Sequence, residues 1–192
     1  MDVLLLRFDA HLMSFGGPIV DNHGVIQAYP ALSMVCGLLA NALGYDHHES
    51  AALQRLQERL QYACRQDRSG TRLRDYQTVD LNQDFMRDDR SWTTHGTLER
   101  RAGISAPKWR KGEGPPSQRF RDYWADAMYT VALTLDLADE TPTIDDLEQA
   151  LRTPGRPLFL GRKPCLPAER LLLGHVQADA LLDPLRDPSV VF

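Results

Sequence analysis

Three observations predict an α+β fold of the split βαβ, ferredoxin-like kind. Val3–Phe8 is an apolar run broken only by Arg7, the composition of a strand buried on both faces and hence central. Between Ala127 and Leu135, the residues Ala127, Tyr129, Val131, Leu133 and Leu135 alternate with Met128, Thr130, Ala132 and Thr134, the cleanest period-two pattern in the chain. A helical pattern follows each of these runs, so the elements read β, α(α), β, β, insertion, β, β, α, β.

After the first strand comes a long loop, Asp9 to Pro30, with Phe15-Gly16-Gly17-Pro18 near its start and Tyr29-Pro30 at its end. Loops longer than about 12–15 residues without structure of their own tend to be functional or disordered. This one begins and ends on large apolar residues, so it is expected to be anchored and to bind something. Ala31 to Tyr45 reads as a helix closed by Gly44, with Leu32, Val35, Cys36, Leu39, Ala42 and Leu43 spaced three and four apart. A second helix, about Glu49 to Gln61, carries Leu53, Leu56 and Leu60 on one face. Tyr62–Asp67 shifts towards a strand, Arg68-Ser69-Gly70 makes a turn, and Thr71–Asp80 is a further strand. Its alternation turns Leu73, Asp75, Gln77 and Val79 one way and Arg74, Tyr76 and Thr78 the other.

Residues 81 to 118 keep no period and scatter glycines and prolines among Trp92-Thr93-Thr94-His95, Arg100-Arg101 and Lys108-Trp109-Arg110-Lys111. Basic residues interleaved with aromatics suit single-stranded nucleic acid, whose phosphates meet the charges while its bases stack on the rings. Beyond it, Arg119–Trp124 is a strand. Thr143 with Asp146 three residues on forms a capping-box pattern before Ile144, Leu147 and Leu151, and Pro154-Gly155 ends that helix. Leu158–Leu160 reads as the last strand, and the chain after Pro164 shows only fragments of pattern.

With 192 residues, 43% apolar and 25% charged, the chain can bury a real core and has the composition of a soluble globular protein. No apolar run approaches the roughly 20 residues of a membrane span, and no basic segment precedes the first apolar run, so no membrane association and a cytoplasmic location are expected. Cys36, Cys64 and Cys165 lack zinc spacing and read as reduced, mostly buried thiols. There is no Walker loop, dinucleotide fingerprint, HExxH or GxSxG, and no cofactor or metal is predicted. His47 and His48 are adjacent and cannot share a helix face, and His23 and His175 have no evident partner. His11 and His95 lie in the two segments suspected of binding, where either could serve a metal-free ribonuclease as general base.

The net charge of −4 argues against a simple electrostatic nucleic-acid binder, but its distribution is uneven. Residues 98 to 121 carry a balance of +5 and residues 136 to 192 one of −4. A basic segment on an acidic body fits a grip on a polyanion at one place and protein docking elsewhere.

Five blocks, in order, resemble the CasD-type subunits of the type I-E CRISPR surveillance complex, Cascade, within the RAMP superfamily. They are Leu4–Phe8 leading into Met13-Ser14-Phe15-Gly16; Tyr29-Pro30 before Gly37–Gly44; Leu73–Val79; Asp126–Leu133; and Leu160-Gly161-Arg162-Lys163-Pro164-Cys165. The resemblance implies a ferredoxin-like (RRM-like) RAMP body, residues 1–80 and 119–177, a protruding thumb over 81–118 and a C-terminal tail over 178–192. It implies a non-catalytic structural subunit in antiviral defence that binds the 5′ handle of the CRISPR RNA and caps the backbone filament. The implied partners are that RNA, the backbone filament subunit, the large PAM-reading subunit and, indirectly, target DNA. In other subtypes the equivalent subunit is a metal-independent endoribonuclease processing precursor CRISPR RNA, which is the alternative.

By position, the resemblance assigns RNA contact to Ser14, Phe15, Gly16 and Gly17, and to Pro30 and Ser33 at the helix start, where free N–H groups favour phosphate. It continues through Arg74, Tyr76, Gln77 and Thr78, then Arg162 and Lys163. The thumb adds Trp92, Thr93, Thr94 and His95 at its tip, with Arg100 and Arg101. Three departures stand out. Ala28, Ala31 and Leu32 are apolar where the family has basic or hydroxyl residues. Gln77 replaces a histidine and cannot act as acid or base. The chain ends at Phe192, earlier than many members, so a C-terminal contact surface is expected to be lost or supplied by another subunit.

Overall fold

The computed structural model describes residues 1–17, 23–46, 48–79, 90–92, 98–100 and 117–187, with backbone alone at Val79, 90–92, 98–100 and Ser117. The body is a four-stranded antiparallel sheet in the order β10-β1-β9-β4. Its strands are β1 (Asp2–Asp9), β4 (Leu60–Arg68), β9 (Met128–Leu135) and β10 (Leu172–Gln177). Helices α1 (Leu32–Leu43) and α2 (Ser50–Arg59) connect β1 to β4, and α3 (Ile144–Arg152) connects β9 to β10.

The apolar run that opens the chain is explained by two packed faces. Leu4, Leu6 and Phe8 join Val35 and Leu39 of α1, Leu56 of α2 and Leu147 and Leu151 of α3 in the main core. Val3 and Leu5 point the other way, into a smaller cluster with Ala132 and Leu185. Leu185 comes from a short terminal helix, α4 (Asp183–Arg186), tied to the sheet by Arg65, whose Nη1 donates to the Leu185 carbonyl at 2.6 Å. β9 is buried on both sides for the same reason, and its Thr130 and Thr134 hydroxyls are satisfied by Asp67 and the Asp2 carbonyl.

The helix ends follow the expected chemistry. α1 stops at Gly44, and the capping box of α3 is formed, with Asp146 N–H donating to Thr143 at 3.2 Å and Thr143 N–H to Asp146 at 2.8 Å. The fully buried Arg59 donates to the carbonyls of Asp136, Leu137 and Glu140, and so closes the turn after β9.

Two strands leave the body sheet. β5 (Thr71–Val79) and β8 (Ser117–Ala125) pair antiparallel along their whole length, from Thr71 opposite Ala125 to Val79 opposite Ser117. β5 does not pair with β4, nor β8 with β9; each continues its predecessor or successor through a bend. The bends face each other: Gly70 has φ 63° and Asp126 φ 54°, and a Cβ on Gly70 would lie 2.4 Å from the Ala125 carbonyl oxygen. The result is a long bent pair of strands, one half in the body sheet and the other in a second sheet, where β8 also pairs with two short strands of the opening loop. Further along the chain, β6 (Arg90–Trp92) pairs with β7 (Leu98–Arg100).

The predicted last strand is misplaced. Leu158–Leu160 is irregular, whereas the strand next to β1 on that side of the sheet is β10. Proline at 154, 157, 164 and 167 denies the earlier stretch a ladder, and Leu160 instead bonds the Cys165 carbonyl through its N–H. β10 hid from periodicity because Gly174 interrupts it and its partner lies at the other end of the chain.

Candidate nucleic-acid interface

The opening loop is pinned at many points, as its apolar ends suggested. β2 (Leu12–Met13) pairs with β8, β3 (His23–Gly24) lies parallel to β8, and Gly16 bridges Ile26. Trp124 Nε1 donates to the Gln27 carbonyl at 2.8 Å, Tyr129 to that of Ala28 at 2.8 Å, and Tyr62 to that of Pro30 at 2.6 Å. Phe15 is wholly buried, edge-on to Tyr129 at 5.2 Å, and Pro30 is buried too. These two assigned residues hold the loop from inside; their side chains do not face solvent.

The loop forms one wall of a groove of about 650 Å³. Ser14, Gly16 and Gly17 meet Ser33, Gly37 and Asn41 of α1 and the turn bearing Phe159, Gly161 and Arg162. That turn requires a glycine. Gly161 has φ 107°, and a Cβ there would stand 1.9 Å from the Ser14 carbonyl oxygen, while Ser14 N–H donates to the Leu160 carbonyl at 3.0 Å. Ser14 is 2% exposed, and its Oγ makes no hydrogen bond within the described protein. The N-terminus of α1 adds a positive end: its cap, Ala31, offers no side-chain bond, the first turn has no acidic residue, and Ser33 is exposed there. Arg162 donates to the carbonyls of Gly24 and Asp122, both at 3.3 Å, lies 5.2 Å over the Tyr123 ring, and converges with Arg121 on Gly24. Lys163 is exposed beside it. The groove also holds one carboxylate, Asp46, ion-paired with Arg156.

Arg74, Tyr76 and Thr78 do not join this wall. Residues opposite each other in an antiparallel pair share a face, so Arg72, Arg74, Tyr76 and Thr78 lie with Trp124, Asp122, Phe120 and Gln118. Leu73, Asp75 and Gln77 lie on the other face with Tyr123, Arg121 and Arg119, the side on which Arg162 packs. The assigned residues are thus split across two faces of one ribbon, with Gln77 on the groove side, donating to Asp75 at 2.6 Å.

The outer face is organised by a buried carboxylate. Asp122, 2% exposed, receives Arg74 at 2.8 and 3.2 Å and Arg72 as well. Arg74's hydrogen bond, helped by that of Arg72 and opposed by burial, holds the Asp122 carboxyl down at about 2. Beside it, Phe120 stacks on His23 at 5.0 Å and on Tyr76 at 5.2 Å. Composition gave no sign of the roles of Phe120 and Asp122; the alternation Phe120, Asp122, Trp124, which pairing sets opposite Tyr76, Arg74 and Arg72, was the available clue.

Trp92 and Arg100 are described in backbone only, in β6 and β7, and Thr93, Thr94, His95 and Arg101 lie outside the described residues. Exposed His11 lies in the turn between β1 and β2, and the other candidate base, His95, is outside the described residues. His175 has partners the sequence did not disclose: Glu148 at 2.9 Å on one nitrogen and Asp2 at 3.1 Å on the other. Burial pulls its pKa down, but these hydrogen bonds outweigh it and leave the imidazole raised. Asp145, Glu148 and His175 are close enough together to hold an ion, yet Glu148 already pairs with Arg152 at 2.6 Å. Burial pushes the Cys36 thiol up to about 11 and Cys64 to about 12, in keeping with inert thiols.

Comparison with known proteins returns one family. The model of the CRISPR-associated protein family Cas5 matches residues 3–189. The "CRISPR system Cascade subunit CasD" of Escherichia coli (strain K12) is 31% identical over 184 residues, covering 91% of this chain and 71% of that one. A chain in a solved "CRISPR RNA-guided surveillance complex" superposes with TM-score 0.70 at 29% identity, covering 96% of this chain and 66% of its own. A solved "Cas protein" gives 0.55 at 25% identity over 93% and 66%. The chain therefore spans about two-thirds of the length of the solved chains it matches.

Proposed function

The chain belongs to the CRISPR-associated Cas5 family, and from that premise we propose that it is a non-catalytic, RNA-binding subunit of a CRISPR RNA-guided surveillance complex. The body is read as a ferredoxin-like RAMP fold, supported by the strand order β10-β1-β9-β4 and its two helical crossovers. The thumb, over residues 81–118, is read as carried at the end of the β5–β8 ribbon, which the paired bends of Gly70 and Asp126 set off from the body sheet. Its partners in this reading are the 5′ handle of the CRISPR RNA, a backbone filament subunit and the large PAM-reading subunit.

The observation that carries the reading is the groove at the start of α1. It combines an uncapped helix N-terminus, the unpartnered Ser14 Oγ, the glycines 16, 17 and 161, and the Arg162 guanidinium. A helix N-terminus with adjacent backbone N–H groups and a cation is a phosphate site. The glycines let a sugar-phosphate backbone approach the protein's own. The apolar residues Ala28, Ala31 and Leu32 leave this contact to the backbone N–H groups and to Arg162.

The structural rather than enzymatic role is supported by Gln77, which stands in the place of a histidine and is engaged with Asp75. Binding of handle-bearing RNA tests the site. Arg162→Ala is expected to weaken it about ten-fold and to reduce the slope of log affinity against log salt by about 0.7, the loss of one phosphate contact to a single strand. Unchanged affinity and slope would remove the groove from the interface, and cleavage of repeat RNA by the purified chain would replace the structural reading with the enzymatic one.

A further inference from the structure

The outer face of the β5–β8 ribbon carries a feature that the groove does not use. Three rings from three neighbouring strands stand in one row: His23 of β3, Phe120 of β8 and Tyr76 of β5. His23 and Phe120 are nearly parallel, 12° apart with centroids at 5.0 Å, and Tyr76 is tilted 37° from Phe120 at 5.2 Å. His23 is exposed and Tyr76 is 53% exposed. A row of aromatics normally ends inside a core; here half-buried Phe120 is flanked by two exposed end rings, His23 and Tyr76, each with an outer face that nothing stacks on among the described residues.

The flank of the row is charged and held in place. Arg74 lies 6.0 Å from the Phe120 centroid, and its guanidinium is oriented by two bonds to Asp122. Arg72 shares the same carboxylate, so two cations and one anion leave a net positive edge beside the rings. A partner protein with an apolar surface would call for aliphatic neighbours around the rings. Aromatic rings bordered by oriented arginines are what an unpaired nucleobase with its phosphate requires: the base stacks and the phosphate meets the cation.

We propose that His23, Phe120 and Tyr76 form a stacking platform for an unpaired base of single-stranded nucleic acid, on the ribbon face opposite the Arg162 groove. The proposal rests on the reading of the chain as an RNA-binding subunit and adds to it a second, separate contact. A strand lying in the groove reaches the platform only by turning round the ribbon edge. The platform therefore takes a different stretch of nucleic acid from the one held at α1.

The test compares two oligonucleotides of equal length and charge, oligouridylate and its abasic counterpart, titrated against the full-length chain. Wild type is expected to prefer the base-bearing strand. Tyr76→Ala and His23→Ala, both at solvent-exposed positions, are each expected to weaken oligouridylate binding roughly ten-fold, leaving abasic binding and the salt slope unchanged. Arg162→Ala is expected to weaken both strands and reduce the slope. If Tyr76→Ala and His23→Ala bind oligouridylate as wild type does, or lose both strands equally, the platform is overturned while the groove stands. If wild type binds neither strand, the RNA-binding reading falls with it.

Discussion

The body pair β4–β9 and the ribbon β5–β8 are made from the same two stretches of chain, residues 60–79 and 117–135, held in two ways. β4 and β9 are covered by helices on one face and by the C-terminal segment on the other, and seven of the eight side chains from Met128 to Leu135 are buried. Past the bends at Gly70 and Asp126, β5 leaves nearly every side chain exposed, and what holds it is β8, one buried carboxylate and a few ring contacts. The body is stabilised by apolar area, which is not directional. Within the ribbon, β8 reaches that core through Tyr123, whereas β5 is held by strand pairing and leaves its side chains open for recognition.

That contrast can be broken by substitution. Leu133→Ala, at a fully buried position of β9, should cost about 2–5 kcal/mol in urea unfolding, whereas Leu73→Ala, 43% exposed on β5, should stay within about 0.5 kcal/mol. Equal costs would mean that β5, and not only Tyr123 of β8, shares the body's core. Asp122→Asn should speed amide exchange of Arg72–Thr78 on the order of ten-fold while leaving β9 protected. Since the Asp122 carboxyl is lowered from 3.8 to about 2, its stabilisation is present above pH 3.8 and disappears as pH falls through about 2. Uniform loss of protection would show that the carboxylate supports the whole molecule. The smallest effect concerns His175, which ties α3 to the β1 end of the sheet. Its raised pKa contributes stability below the ordinary value of 6.5 that is lost as pH rises through the folded value, and His175→Gln should flatten that part of the stability profile. A profile identical to wild type would show that the imidazole is not charged in its clamp.

The same contrast decides what could be read in advance. β1, β9, α1 and the capping box of α3 were legible because burial writes a period into the sequence. The groove was legible only through resemblance, although the oversized loop before α1 marked its position. The division of Arg74 and Arg162 between opposite faces was not, because it depends on β5 pairing with β8 and not with β4, and nothing local specifies that. Phe120 and Asp122 gain their roles from neighbours some fifty residues earlier in the chain. β10 was missed because an edge strand interrupted by Gly174 carries little period.

The paired bends have a consequence for how the chain tolerates change. Because β5 and β8 are zipped along their whole length, the ends of the segment between Val79 and Ser117 are already held side by side by the ribbon. Closing such a segment costs entropy only as the logarithm of its length, about 0.6 kcal/mol for each doubling. A change in the length of chain between Val79 and Ser117 is therefore expected to leave the urea unfolding of the body nearly unchanged, because the ribbon and not that segment holds its two ends together.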